Sequence, residues 1–534
     1  MSFIAEQNIG GHVYVYRAES YWDKDKKQAR QRRVYLGKKD PKTGEIVPTQ
    51  KTKIIRSSRD YGNVYFLDKL SEQSGLKECL RQSHPEWWHD ILTCAFFEIS
   101  ETKPLYLCKP WVELSYEEPL SDDLSSQRIS ELLRTLGETF HNRVAFFKSW
   151  VEMQKQTNCV FYDITSLSSY SKTIEFIEWG YNRDKEKLPQ INLGVIYGEP
   201  LSLPLFYSIH PGSIPDVATL KNTLQFAGHL GLKDVAFVMD KGFYSKHNLN
   251  EMRKTHLRFI IPYPERNKSA LELIHRHSED ISSPRNTFRL RNDILFGIKD
   301  KVSIAGAAYN AFVYLDEKKR LEESDHFFKK LIDIEEKLKT IGYETKEEIE
   351  DYLSENLKGW RNYLRISKKA EQLLTSRNVP EIDKVVERMG KFILLNNYRV
   401  SMQEAISLYR KKDAIEKYFD KMKNDLDVKR LRVHTQEAVE GRLFLCFITL
   451  ILYSWINRRM TEQSLYKDYT VQEIIYELKK IKLLRLDDNR TLTTEISKKQ
   501  RALFKSFQFD PPCRLPIYSF AIPELFSLGI LDRV

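Results

Sequence analysis

A chain of 534 residues is longer than one hydrophobic core usually organises, so about two to four structural units are expected. Its 41% apolar and 12% aromatic residues exclude a largely disordered chain. The six scattered cysteines, with no Cys-x-x-Cys pair and no histidine cluster, exclude a zinc module and read as reduced, cytosolic core residues. Lysine and arginine outnumber aspartate and glutamate by 85 to 74, and the net charge of +11 fits a polyanionic partner as well as plain solubility.

The first residues, "MSFIAEQNIGGHVYVYRAESYWDKD", lack the charged-then-apolar pattern of a signal peptide. Between residues 12 and 56, aromatic and β-branched runs are separated by "DKDKK" and the turn-like "KDPKTGE", which predicts a small basic β-sheet. Residues 1–65 are therefore read as a basic β-rich region in which Arg30, Arg32 and Arg33 suit a solvated face or, with their interleaved aromatics, DNA-binding contacts. Residues 66–155 turn helical, with Ser121 or Asp122 as the expected N-cap near Leu124.

A buried strand then ends on a carboxylate, "CVFYD", at Asp163. "INLGVIYG" (191–198) and "PLSLPLFYSIHPG" (200–212) follow as strands two and three of an antiparallel meander, turning through Gly198-Glu199-Pro200. A helix is predicted over 216–232, capped by Asp216 and stopped near Gly231; a fourth strand, 234–240, ends on a second carboxylate, Asp240. Residues 156–261 form the first part of a catalytic domain on this reading. Residues 262–398 form an inserted subdomain in which strand-like "ILFGI" and "AFVYL" precede a charged helical hairpin.

The catalytic domain resumes at 399–460, with a helical pattern from Met402 to Leu426 and a very apolar core helix from Ala438 to Ile456. The run Leu443–Ile456 is too short to span a bilayer comfortably. The C-terminal region, 461–534, carries no evident motif.

Three strands, a helix, a fourth strand and a later acid-bearing helix is the order of an α/β, RNase H-like fold, a mixed sheet flanked by helices, with Asp163 and Asp240 near the sheet centre. Clustered carboxylates suit Mg²⁺, a hard cation, and two ions about 4 Å apart can clamp the oxygens of a phosphodiester. The third acid is expected in "SLYRKKDAIEKYFDKMKNDLDV", where Tyr409, Lys412, Glu416 and Lys423 share one helical face suited to gripping phosphate.

These blocks resemble the DDE transposases of bacterial insertion sequences, in the superfamily whose third acid lies in a Tyr-x2-Arg-x3-Glu-x6-Lys helix. The resemblance runs through "YDITSL", "GYNRDKEKLPQINLGVIYGEPLSLPLFYSIHPGSIPDVATL", "VMDKGFYS", the helix just quoted and the N-terminal "SYWDKDKKQARQRRVYLG". It implies Asp163, Asp240 and Glu416 as the catalytic, metal-binding acids, with Tyr409 and Lys423 on the signature. Lys412 stands where the family has arginine; lysine lacks the bidentate fork, and Arg410 is the expected stand-in contact to DNA.

The resemblance further implies two Mg²⁺ ions, with Mn²⁺ as an alternative, cleavage of terminal inverted repeats through a hairpin with a flipped base, and joining to target double-stranded DNA by a homodimer in a bacterial, nucleoid-associated cytoplasmic setting. A catalytically inactive end-binding repressor and a metal-dependent nuclease without strand transfer remain the alternatives. Asp184 is expected to order its loop, and no ligand spacing recruits His210 or His247 to a metal.

Overall fold

The computed structural model describes the chain apart from residues 1, 24–26, 48–54, 117, 155, 172–173, 182–185, 233, 341–350, 353–354, 356, 358, 370–371, 413–429, 432, 488–489 and 513–534. The described residues fall into two compact units: one is drawn from 1–66, 112–117 and 473 onward, the other from 67–111 and 118–472.

In the first unit, β1 (Ser2–Ile9), β2 (His12–Asp23), β3 (Gln28–Lys39) and β4 (Ile46–Val47) form an antiparallel sheet in that order. Gly10 and Gly11, both at positive φ, make the two-residue β1–β2 turn, a backbone shape that side chains with a Cβ disfavour. The predicted turn at "KDPKTGE" is present: the Asp40 carboxylate accepts from the Lys42 and Thr43 amides at 2.7 and 3.1 Å, which holds its pKa below the usual range. A separate strand, β5 (Ile55–Asp60), pairs with Lys482–Leu486, and Lys482 and Lys479 both meet the Asp60 carboxylate.

The second unit is built on one ten-stranded mixed sheet. Its strands are β6 (Cys159–Ser169), β7 (Gln190–Glu199), β8 (Leu203–Pro211), β9 (Ala236–Met239), β10 (Arg258–Pro262), β11 (Thr287–Leu290), β12 (Asp293–Ile304) and β13 (Ala307–Leu315). A small hairpin, β14 (Leu364–Lys369) with β15 (Gln372–Arg377), stands apart; β16 (Lys391–Asn396) and the short β17 (Arg430–Leu431) return to the main sheet. The order is β11-β12-β13-β16-β10-β9-β6-β7-β8, with β17 alongside β6. The meander β6-β7-β8 is antiparallel as predicted, and β9 runs parallel to β6. Strands β11, β12, β13 and β16, which lie in the predicted insertion, extend the same sheet through the β10–β16 pair.

Three local expectations are corrected. The first strand runs on to Ser169, so Asp163 sits mid-strand opposite Val195 rather than at its end; the polar stretch "TSLSS" is retained because β7 pairs with β6 as far as Ser168. Ser125, not Ser121 or Asp122, caps the helix Ser126–Glu138, accepting from the Arg128 amide at 3.2 Å. The helix Asp216–His229 begins at Asp216, with Pro215 in the cap position.

The apolar helix Gln436–Glu462 is longer than its apolar run. It is long and apolar enough to cross a membrane, yet 83% of its most apolar window is buried in the protein. It packs on Ser126–Glu138, Trp88–Glu101 and β8. A Cβ on Gly137 would lie 1.9 Å from the Glu437 carbonyl oxygen, and one on Gly441 would lie 1.8 Å from that of Leu133, so two glycines let these helix backbones touch. Arg442 pairs with the buried Glu98, which also accepts from the Thr449 hydroxyl at 2.7 Å. The insertion has its own small core, where Phe327, Leu331, Ile334 and Leu338 project at helical spacing from Glu317–Thr340 onto Leu357, Leu364, Ile382 and Met389.

Candidate active site

Parallel pairing of β6 with β9 matches Phe161 to Val238 and Tyr162 to Met239. Asp163 directly follows Tyr162 in β6 and Asp240 directly follows Met239 of β9, so one matched pair precedes both acids. Tyr162 points to the face opposite Asp163, where its hydroxyl meets Thr219 and Thr223 at 3.0 and 3.2 Å. Alternation therefore turns Asp163 away from the helix Asp216–His229. Asp163 is 9% exposed. Asp240 directly follows β9 and opens a short 3-10 turn, Lys241–Phe243.

Asp240 lines a cavity of about 660 Å³ together with Lys241, Arg266, Lys319, Tyr409 and Arg410. The last two come from a helix over residues 402–412, begun by the Ser401 hydroxyl, which accepts from the Glu404 amide at 3.1 Å. The same helix is tied to its surroundings on several sides. The buried Tyr314 hydroxyl donates to the Met402 carbonyl at 2.8 Å, Arg410 pairs with Asp316 and with Asp293, and Lys411 pairs with Glu199 at the end of β7. Lys412 is 3% exposed.

Sequence reasoning had no signal for Asp293, Asp316 or Glu199, which lie far along the chain from the helix they hold. The structure gives Arg410 two carboxylate partners, whereas the sequence suggested a phosphate contact. Glu416 and Lys423 lie outside the described residues, as does Asp184. The chain returns from 413–429 as β17, whose Arg430 and Leu431 pair in parallel with Ser168 and Ser169 of β6, the strand that carries Asp163.

Among the described residues, no three His, Cys, Asp or Glu side chains group to hold a metal ion. Asp163 and Asp240, carried by the paired strands β6 and β9, offer hard oxygen donors of the kind a divalent cation takes while keeping waters. His210 is pushed down to about 4 by burial and is a neutral hydrogen-bond partner of Ser208 at 2.9 Å.

On β3, alternation separates the predicted basic triplet. Arg30 and Arg32 lie opposite Tyr21 and Glu19 on one face, with the exposed Arg17 completing a basic stripe across from Val34. Arg33 lies on the other face and donates to Gln31 at 3.1 Å. Arg17 was missed by reading composition alone; the strand period would have found it.

A family model, the transposase DDE domain, matches residues 154–452, more than half of the chain. The chain belongs to the DDE transposase family, enzymes of DNA transposition and recombination that cleave and transfer DNA and use divalent metal ions. One solved structure, described as a cryo-EM structure of the piggyBac transposase synaptic complex with hairpin DNA, is similar to this chain at 9% identity and a TM-score of 0.32, covering 78% of this chain and 69% of that one. No curated protein matches the sequence.

Proposed function

We propose that this protein is a cut-and-paste DNA transposase that binds the terminal inverted repeats of an insertion sequence, cleaves its ends through a hairpin and joins them to target DNA. The observation that carries this reading is the β6–β9 register, whose matched Tyr162 and Met239 immediately precede Asp163 and Asp240, within a chain that belongs to the DDE family. The strand order β10-β9-β6-β7-β8, with its antiparallel meander and parallel neighbours, supports the RNase H-like reading of the domain.

Asp163, Asp240 and Glu416 are the residues that would hold two Mg²⁺ ions, with Mn²⁺ as an alternative. Bound there, the ions supply activation of the attacking oxygen and charge stabilisation at the leaving one. The chain's own part is to supply those carboxylates and to bring Tyr409 to the cavity that Asp240 lines. Tyr409, Lys412 and Lys423, the residues on the family signature, are the ones proposed to act toward phosphate. The sheet of Arg17, Arg30, Arg32 and Arg33 is the surface proposed for the terminal repeats, and pairing of two ends calls for a homodimer on DNA. The cellular setting proposed is the bacterial nucleoid.

The test is a cleavage and joining assay on the element's own end DNA with Mg²⁺, comparing wild type with Glu416→Gln. Glutamate-dependent hairpins and joined products support the transposase. Cleaved ends without joining would indicate the nuclease, and end binding with no chemistry would indicate the repressor.

A further inference from the structure

We propose that Asp316 and Arg410 form a positioning latch that holds the helix over 402–412 so that Tyr409 stays at the cavity beside Asp240, a role that rests on the catalytic reading above. Asp316 directly follows β13 and uses its two oxygens differently. Oδ1 accepts from the Lys318 and Lys319 amides at 3.1 and 3.3 Å, capping the long helix Glu317–Thr340; Oδ2 takes the Arg410 guanidinium. One carboxylate thus starts the insertion's helix and anchors the signature helix.

The latch has a second, weaker arm. Arg410 reaches Asp293, the first residue of β12, at 3.4 Å, and Lys318 also pairs with that carboxylate, holding its pKa below the usual range. Asp293 and Asp316 sit at neighbouring ends of an antiparallel pair, since Phe296 is matched to Leu315. Both acids therefore stand on a rigid sheet, which makes them a fixed reference for the helix. The Arg410 side chain is 29% exposed and that of Asp316 is 14% exposed, so their pairing is shielded from solvent more than a surface ion pair. On the opposite side Lys411 pairs with Glu199 of β7, so successive residues fasten the helix to the insertion strands and to the catalytic meander.

The geometry also sets Arg410 apart from its neighbour. Tyr409 and Arg410 line the same cavity, but the guanidinium fork is matched to two carboxylates, a pairing whose charge-assisted hydrogen bonds fix orientation as well as energy. Arg410 acts on the site through the helix that carries it and is a positioning residue.

Asp316→Asn isolates this role, because asparagine caps helices about as well as aspartate but removes the anion facing Arg410. The full-length protein is compared by hydrogen exchange without metal or DNA, and by single-turnover end cleavage at saturating end DNA. The latch predicts that amides of 402–412 exchange about tenfold faster while 317–325 keep their protection, and that cleavage slows about tenfold with end-DNA affinity unchanged. Arg410→Ala gives the same pattern, and the double variant is no worse than either single one.

Wild-type exchange and cleavage in both single variants would overturn the latch. So would weaker DNA binding with cleavage at saturation unchanged, which would make Arg410 a DNA contact instead. If Asp163→Asn cleaves like wild type, the catalytic reading fails, and the exchange result still decides the latch.

Discussion

Tyr162 of β6 is matched in parallel to Met239 of β9, and each is followed directly by an acid, Asp163 and Asp240. Carboxylates carried on neighbouring strands are suited to share a divalent cation. That relationship gives the site a stability signature as well as a chemical one.

Asp163→Asn removes one of the two acids proposed to hold that cation. Adding Mg²⁺ is expected to raise the Tm of wild type and to leave that of the variant nearly unchanged. Thermal melts with and without Mg²⁺ check both expectations, and a wild-type Tm indifferent to Mg²⁺ would count against a shared cation site.

The basic sheet makes a prediction about salt. Each of Arg17→Ala, Arg30→Ala and Arg32→Ala is expected to lower the slope of log affinity against log salt by about 0.9, the release expected per phosphate contact. Arg33→Ala, on the opposite face, is expected to change it less. Binding isotherms on end DNA at several salt concentrations measure this, and equal effects from all four would remove the face distinction.

His84 and His210 are both pushed down to about 4, burial being the first cause in each case. A histidine whose folded pKa lies below its unfolded value of about 6.5 binds its proton more readily when unfolded. Their contribution to stability is thus fully present above about pH 6.5 and is lost as pH falls from there toward 4. Melting temperatures across that window should fall for wild type, and the decline should be shallower for a His84→Gln, His210→Gln double variant.

The pairing of Arg442 with the buried Glu98 makes that carboxylate costly to remove. Glu98→Gln is expected to destabilise the protein by about 1.5–3 kcal/mol, the range for a hydrogen bond to a charged group. Chemical denaturation reads this as a lower midpoint with an unchanged m-value. A change within about 0.5 kcal/mol would place the pair in the range of ordinary surface substitutions.

Strands β6 and β9 were legible because each contains a short apolar run of strand character, followed by an acid at Asp163 within β6 and at Asp240 just after β9. The helix Asp216–His229 and the core helix Gln436–Glu462 were legible from apolar spacing. Long-range pairings were not. Nothing local in "KLLRL" says that Lys482–Leu486 pairs with Ile55–Asp60, since strand partners separated by more than 400 residues leave no periodic trace. The full reach of β6 was hidden because its second half is polar and is held by β7. Asp316 looked like one charge among many before a helix; only folding shows that its second oxygen faces Arg410.

The most direct measurement is single-turnover cleavage of end DNA in Mg²⁺ by Asp163→Asn and Asp240→Asn, with end-DNA affinity measured alongside. The account predicts that both variants bind DNA like wild type and that each loses cleavage beyond the roughly 100-fold expected when a residue merely orients a metal ligand. Wild-type cleavage by either variant would contradict the site formed by Asp163 and Asp240.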